Sequence, residues 1–219
     1  MRSTAAWQLD YKHPMITNFL TRRLINIFAV GLVGLSFSGL ARADTWVFDK
    51  QNTEIRFSWD YLGVARRSGR FIDMDGTLNF SPTEPEVGDI DMTIRSASIA
   101  TGTKELDDAL KSADFFGVSS NPRITFKSTG ITKTGDKSGE ILGTLTLLGQ
   151  SRPVVLAATW NYTGEHPLGS SNVNFQGKWV SGFSATTKIQ RSDFGMKRGI
   201  PLLSDEIRID IEAVFIRKD

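Results

Sequence analysis

The sequence of 219 residues contains no cysteine. That excludes a disulfide framework, a thiol nucleophile, an iron–sulfur cluster and a lipid-modified N-terminal cysteine. Histidine is almost as scarce, with two in the chain. Beyond residue 43 only His166 remains, beside Pro167 in a Gly/Ser-rich stretch, where it reads as a solvated loop residue. No Ser-His-Asp, Cys-His or histidine-rich metal constellation can be assembled. There is no G-x-S-x-G, and no glycine-rich phosphate loop between a strand and a helix. Past residue 43 there is also no long helical pattern, and no long apolar run.

The one long apolar run is Leu24–Leu40, 17 residues, short for a membrane span. Arg22 and Arg23 precede it and Ala41-Arg42-Ala43 follows it, the small-x-small pattern of a cleavage site. Residues 1–43 therefore read as a signal peptide, with cleavage after Ala43. Met15 is an alternative start that leaves an ordinary short basic leader. Thr21-Arg22-Arg23 resembles a twin-arginine signal only faintly, and the general secretory route is the expectation. The leader holds five basic residues and one acid, so its removal turns a net charge of +2 into −2. Nothing points to nucleic-acid binding. Residues 44–219 suffice for one domain with a substantial interior. A cysteine-free exported chain without a second anchor is expected in a bacterial periplasm, with secretion as the alternative.

What the chain does have is period-two alternation. Ile207, Ile209, Ile211, Ala213 and Phe215 alternate with mostly polar residues, and so do Phe183, Ala185, Thr187 and Ile189. Each pattern describes a strand with one dry face. With no long helix to cover those faces, the economical solution is a sheet closed on itself. Further strands are expected at Trp46–Phe48, Glu54–Tyr61, Ser68–Phe80, Ile90 to about Ile99, Ile124–Ile131, Glu140–Leu148, Pro153–Tyr162 and Gln176–Val180. Asp75-Gly76 reads as a hairpin turn or a bulge. Thr103–Lys111 reads as one short helix with Thr103 as N-cap. Gly149-Gln150 marks a tight turn, and Gly164–Asn174 a mobile polar loop. The hairpin-like spacing predicts an all-β, mostly antiparallel up-and-down barrel.

Carboxylates are the remaining source of chemistry. Asp73-Met74-Asp75-Gly76 opens like a calcium loop but lacks the later ligands, so it reads as a turn. Asp107, Asp108 and Asp114 cluster on and after the helix; paired carboxylates can run hydrolysis, whereas charges on a short surface helix usually form its wet face. The aromatic residues, among them Phe57, Trp59, Tyr61, Phe71, Phe80, Trp179 and Phe215, fall mainly on the dry register. An eight-stranded barrel either fills its interior with such side chains or keeps room for one ligand, and the register is compatible with both.

Several stretches together resemble the YceI-like family of exported lipid-binding barrels. They are Phe48-Asp49 with Ile55-Arg56-Phe57-Ser58; Gly69-Arg70-Phe71 with Asp75-Gly76-Thr77-Leu78-Asn79-Phe80; Leu110-Lys111-Ser112-Ala113-Asp114-Phe115-Phe116; Pro122-Arg123-Ile124-Thr125-Phe126-Lys127-Ser128; Gly143-Thr144-Leu145-Thr146 with Gly149 and Pro153-Val154; and Arg191-Ser192-Asp193-Phe194-Gly195 with Asp205-Glu206-Ile207. They follow the family's order across residues 44–219. The resemblance implies an eight-stranded antiparallel lipocalin-like barrel with one or two short helices in its connections. It implies a non-catalytic protein without cofactor or metal, and an elongated apolar cavity for a long-chain isoprenoid or fatty lipid. On that reading the cavity residues are Phe57, Trp59, Tyr61, Phe71, Leu78, Phe126, Leu145, Trp160, Phe183, Phe194 and Ile209. Head-group candidates are Arg66, Arg67 and Arg191, with Arg70, Lys197 and Arg198 nearby; Arg191 and Asp193 alternatively brace a turn. Family members often carry histidines where this chain has Asn52, Tyr61 and Ala109, so no histidine-dependent role carries over. The segment Met196–Leu203 is shorter than in the family. Two other classes stand beside the lipid carrier: a stress-related interaction protein with a solid core, and a hydrolase using Asp107, Asp108 and Asp114. A homodimer is a further expectation.

Overall fold

The computed structural model describes residues 43–218. The expected leader lies outside them but for its last residue. The described chain forms β1 (Asp44–Phe48), β2 (Glu54–Tyr61), β3 (Ala65–Phe71), β4 (Met74–Phe80), β5 (Asp89–Arg95), β6 (Ile99–Ala100), helix α1 (Lys104–Lys111), β7 (Arg123–Lys133), β8 (Ser138–Leu147), β9 (Gln150–Glu165), β10 (Trp179–Gln190) and β11 (Glu206–Arg217). All pairings between them are antiparallel.

Three long strands are each broken once: β1 continues as β2, β3 as β4, and β5 as β6. β1 pairs with β4 and β2 with β3, so the broken halves stay in register as one hairpin. Counted this way, eight strands follow one another in chain order around a ring. The ring closes on β11. Its first half pairs with β2, Ile211 opposite Ile55, and its last residues pair with β1, Phe215 opposite Phe48. Closure leaves the alternating faces one inside and one outside. Ile207, Ile209, Ile211, Ala213 and Phe215 of β11 all point to the interior. The buried side includes Trp46, whose indole nitrogen donates to the Phe80 carbonyl at 3.2 Å. Burying an aromatic side chain of this kind contributes about 2–3 kcal/mol.

Four local expectations are corrected. Asp75-Gly76 is neither turn nor bulge: the chain breaks at Ile72-Asp73, and Gly76 pairs in register with Met92 inside β4. A Cβ on Gly76 would stand 2.2 Å from the Asp91 carbonyl oxygen, so glycine permits the close approach of β4 and β5. The strand from Ile90 stops at Arg95, where a 3₁₀ turn over Ser96–Ser98 intervenes before Ile99. Gln176–Val180 is not a separate strand; Trp179 begins β10, which continues across a bulge at Gly182/Phe183. Thr103 precedes α1 but makes no side-chain cap. The turn between β8 and β9 has Leu148 at φ 53° and Gly149 at φ 73°, as a two-residue hairpin requires.

Candidate functional site

The barrel interior holds two apolar cavities in line along its axis. The first, about 230 Å³, lies between the first half of β11, the end of β2, the end of β10 and the start of β7. The second, about 180 Å³, lies towards β1, the end of β4 and the start of β8. Met92, Phe126, Leu156 and Ile211 line both and form the constriction between them. Phe126 is opposite Leu145 of β8, and its ring lies over Gly143 two residues along, where a Cβ would lie 2.3 Å from the ring.

Helix α1 and the turn after it wall the first cavity with Leu106, Leu110, Phe115 and Phe116. Leu106 and Leu110 already share a helix face in the sequence. That this face turns towards a barrel lumen follows from the packing. Phe57, Phe71 and Phe116 meet there edge-on or tilted at 5.3–5.8 Å between ring centres, the geometry that aromatic quadrupoles favour. Tyr61, Arg67 and Ala109 line this cavity and are themselves exposed, so the cavity reaches the surface beside them.

The eleven residues assigned to a cavity divide in three. Phe57, Trp59, Tyr61, Phe71, Phe126, Leu145 and Ile209 line the first cavity. Leu78, Trp160 and Phe183 line the second, which Phe126 shares. Phe194 lines neither; it is 2% exposed and packs among the core side chains behind the wall. The residues not anticipated are chiefly Met92, Ile94, Leu106, Phe116, Met196 and Leu203.

The three head-group arginines occupy different positions. Arg66 is exposed, donates to Asp60 at 3.2 Å and lines neither cavity. Arg191 borders the first cavity but its guanidinium is committed. It donates to the carbonyls of Ser204 at 2.9 Å, Met196 at 2.9 Å and Leu203 at 3.0 Å. It is 3% exposed, and burial pulls its pKa below the ordinary arginine value against the nearby Asp205 charge. It braces the turn after β10, but not with Asp193: Asp205 completes the brace, accepting from the Ser192 amide and hydroxyl. Arg67 is left. It stands opposite Trp59 on the inward face of β3, lines the first cavity and, among the described residues, has no carboxylate partner.

The three carboxylates proposed for hydrolysis do not converge on a cavity. Asp107 accepts from the Thr101 hydroxyl at 2.6 Å and the Thr101 amide at 2.7 Å, tying α1 to β6. The hydroxyl chiefly holds the Asp107 carboxyl below the usual carboxylate range. Asp108 pairs with Lys104, and Asp114 with Arg198 at 3.8 Å. His166 stacks on Phe175 with ring centres 4.0 Å apart, and its Nδ1 accepts from the Leu168 amide. It fastens the β9–β10 loop upon itself. Among the described residues, no cluster of three or more His, Asp or Glu is placed to hold a metal ion.

A closed eight-stranded antiparallel barrel with a helix across one end and an apolar lumen defines the lipocalin-like class of binding proteins. The YceI-like domain family matches residues 46–215, and the chain belongs to that family. A UPF0312 protein of Pseudomonas savastanoi pv. phaseolicola is 32% identical over 201 residues, covering 91% of this chain and all of the relative. The crystal structure of Campylobacter jejuni YceI is 31% identical with a TM-score of 0.63, over 73% of this chain and 90% of the other. A polyisoprenoid-binding domain from Saccharophagus degradans shares the fold, with a TM-score of 0.57 at 12% identity, over 81% of this chain and the whole of that domain.

Proposed function

We propose that this chain is an exported, non-catalytic carrier that holds a long-chain isoprenoid, or a lipid of similar shape, along the barrel axis. One observation carries the reading: two apolar cavities lie end to end inside a closed barrel, and Arg67, a cation without a carboxylate partner among the described residues, stands at the exposed rim of the first. A slender apolar chain suits that volume better than a compact ligand, because it can thread the constriction at Phe126. The polyisoprenoid-binding domain of the same fold supports this choice of lipid. The leader pattern in residues 1–43 supports a periplasmic location.

A bound chain gains about 0.8 kcal/mol per buried CH₂ relative to water. Its real alternative is a membrane, equally apolar, so transfer lies near balance and favours carriage or storage over irreversible capture. Selectivity then rests on chain fit and on the head group. An anionic head group at the rim pairs with Arg67.

Native mass spectrometry of protein taken from the periplasmic fraction, followed by denaturing extraction, tests the reading. A stoichiometric long-chain adduct on a chain beginning at Asp44 is expected. An empty barrel that takes up no prenyl lipid would overturn it. Arg67→Ala is expected to weaken a prenyl phosphate about tenfold while sparing the prenyl alcohol. Equal loss for both ligands would remove Arg67 from head-group recognition.

A further inference from the structure

Beside α1, the end of the barrel at which the first cavity opens is built from two loops stitched together. The β2–β3 hairpin and the segment 195–204 are joined by the Leu62 amide donating to the Leu202 carbonyl at 2.8 Å, and by a bridge between Tyr61 and Leu203. Together they expose Tyr61, Leu62, Val64, Ile200 and Leu202; Val64 is 77% exposed and Leu202 63%. Five large apolar side chains on two adjoining tips are more than the isolated exposed residues of an ordinary surface.

Leu62 sharpens the point. It has φ 54° in the three-residue loop Leu62-Gly63-Val64, with Gly63 at φ 67°, a position that suits asparagine or glycine and strains leucine. Leu148 adopts the same conformation in the β8–β9 turn, but its side chain packs on the core. Leu62 is exposed and has no such compensation. The strained, exposed leucine is what a surface that meets an apolar environment would contain.

Charge selects the environment. Residues 60–67 and 195–204 carry Arg66, Arg67, Lys197 and Arg198 against one acid, Asp60. Arg66 reaches Asp60 and Arg198 reaches Asp114, whereas Arg67 and Lys197 have no carboxylate partner among the described residues. The two loops that meet here are therefore apolar and basic, whereas α1 and the turn after it, at the same end, carry Glu105, Asp107, Asp108 and Asp114 against Lys104 and Lys111.

We propose that the β2–β3 hairpin and the 195–204 loop form a docking crest for the surface of an anionic lipid bilayer. Leu62, Val64, Ile200 and Leu202 enter the interface between head groups and acyl chains, and Arg67 and Lys197 meet lipid phosphates. Docking places the cavity mouth on the membrane, so a lipid tail can pass from bilayer to barrel while its head group stays at the interface. The proposal rests on the carrier reading for its purpose, but not for its measurement.

Flotation of the purified full-length mature protein with phosphatidylethanolamine–phosphatidylglycerol vesicles tests it. Wild type is expected to float with these vesicles, and less with phosphatidylcholine alone. Val64→Asp with Leu202→Asp is expected to lower partitioning more than about tenfold. Lys197→Glu is expected to lower it about fivefold or more, an effect that fades as salt rises. Neither position lines a cavity. The Asp pair should therefore still take up a fluorescent prenyl alcohol from detergent, which also reports that it is folded, yet extract it slowly from vesicles. Flotation of the Asp pair like wild type, or no flotation of wild type, would overturn the crest. So would a wild-type dimer, seen by light scattering, that the Asp pair dissolves, because the crest would then face a second copy. If wild type takes up no prenyl probe from any source, the carrier reading fails while the flotation result stands on its own.

Discussion

At the scale of single residues, the same side-chain type does opposite work according to what surrounds it. Arg67 and Arg191 both border the first cavity. Arg67 is exposed and has no carboxylate partner among the described residues, which leaves it free for the proposed head group. Arg191 is buried and donates to three carbonyls that receive no other hydrogen bond among the described residues. Removing a donor from buried acceptors costs about 1–3 kcal/mol for each group left unsatisfied. Arg191→Ala is therefore expected to destabilise the fold by about 3 kcal/mol or more in urea unfolding. Arg191→Lys should recover only part, because an ammonium cannot present the planar fork that reaches carbonyls in three directions. Full stability in the lysine variant would show that a single charge, not the fork, is what the turn requires. From the sequence, Arg191 reads either as a head-group cation like Arg67 or as a brace of its turn, and the pattern alone does not choose between the two. The distinction lies in which carbonyls the folded loop aims inward.

At the scale of elements, the constriction joins residues from four strands: Met92 on β5, Phe126 on β7, Leu156 on β9 and Ile211 on β11. Their inward direction was legible in the alternation of each strand. Their meeting at one level of the barrel was not, because that depends on the register of β5 against β7 and of β8 against β9. Phe126 controls the passage, and Gly143 provides the space its ring occupies. Phe126→Ala is expected to merge the cavities and shift the co-purifying lipids, read by mass spectrometry, towards longer or bulkier chains. It should cost about 3–5 kcal/mol of stability. Phe126→Leu is the milder variant, expected to shift the profile in the same direction at smaller cost. An unchanged lipid profile in both would show that the constriction does not measure the ligand. The helix illustrates the complementary case. Its existence and apolar face could be read from Leu106 and Leu110, but its fastening could not. Thr103 leaves the cap unmade, and Asp107 reaches back to Thr101 instead.

At the scale of the whole molecule, the interior is a lined space and not a filled core, and stability should reflect its contents. A ligand that binds only the folded barrel adds RT ln(1 + [L]/Kd), about 2.7 kcal/mol at a hundredfold excess over Kd. On the carrier reading, stripping co-purified lipid is therefore expected to lower Tm by several degrees, and re-adding the extracted lipid to restore it. A Tm indifferent to both treatments would mark the lumen as structurally and functionally empty. The apolar, basic crest also belongs to this scale, since it emerges only when loops far apart in sequence gather at one rim.

Period-two alternation with no long helix to cover it dictated a closed β-barrel, because a one-sided dry face must be buried and a sheet can bury it against itself. It also told which side chain of each strand points inward, since that depends on parity alone. Tertiary structure decided the rest. Whether inward side chains meet or leave a lumen depends on barrel radius and on small residues such as Gly143. Whether an arginine braces a loop or faces a ligand depends on backbone carbonyls brought from elsewhere. That an apolar, basic crest forms at all depends on the hairpin at Leu62 meeting the loop at Leu202, a contact between segments about 140 residues apart that no local pattern encodes.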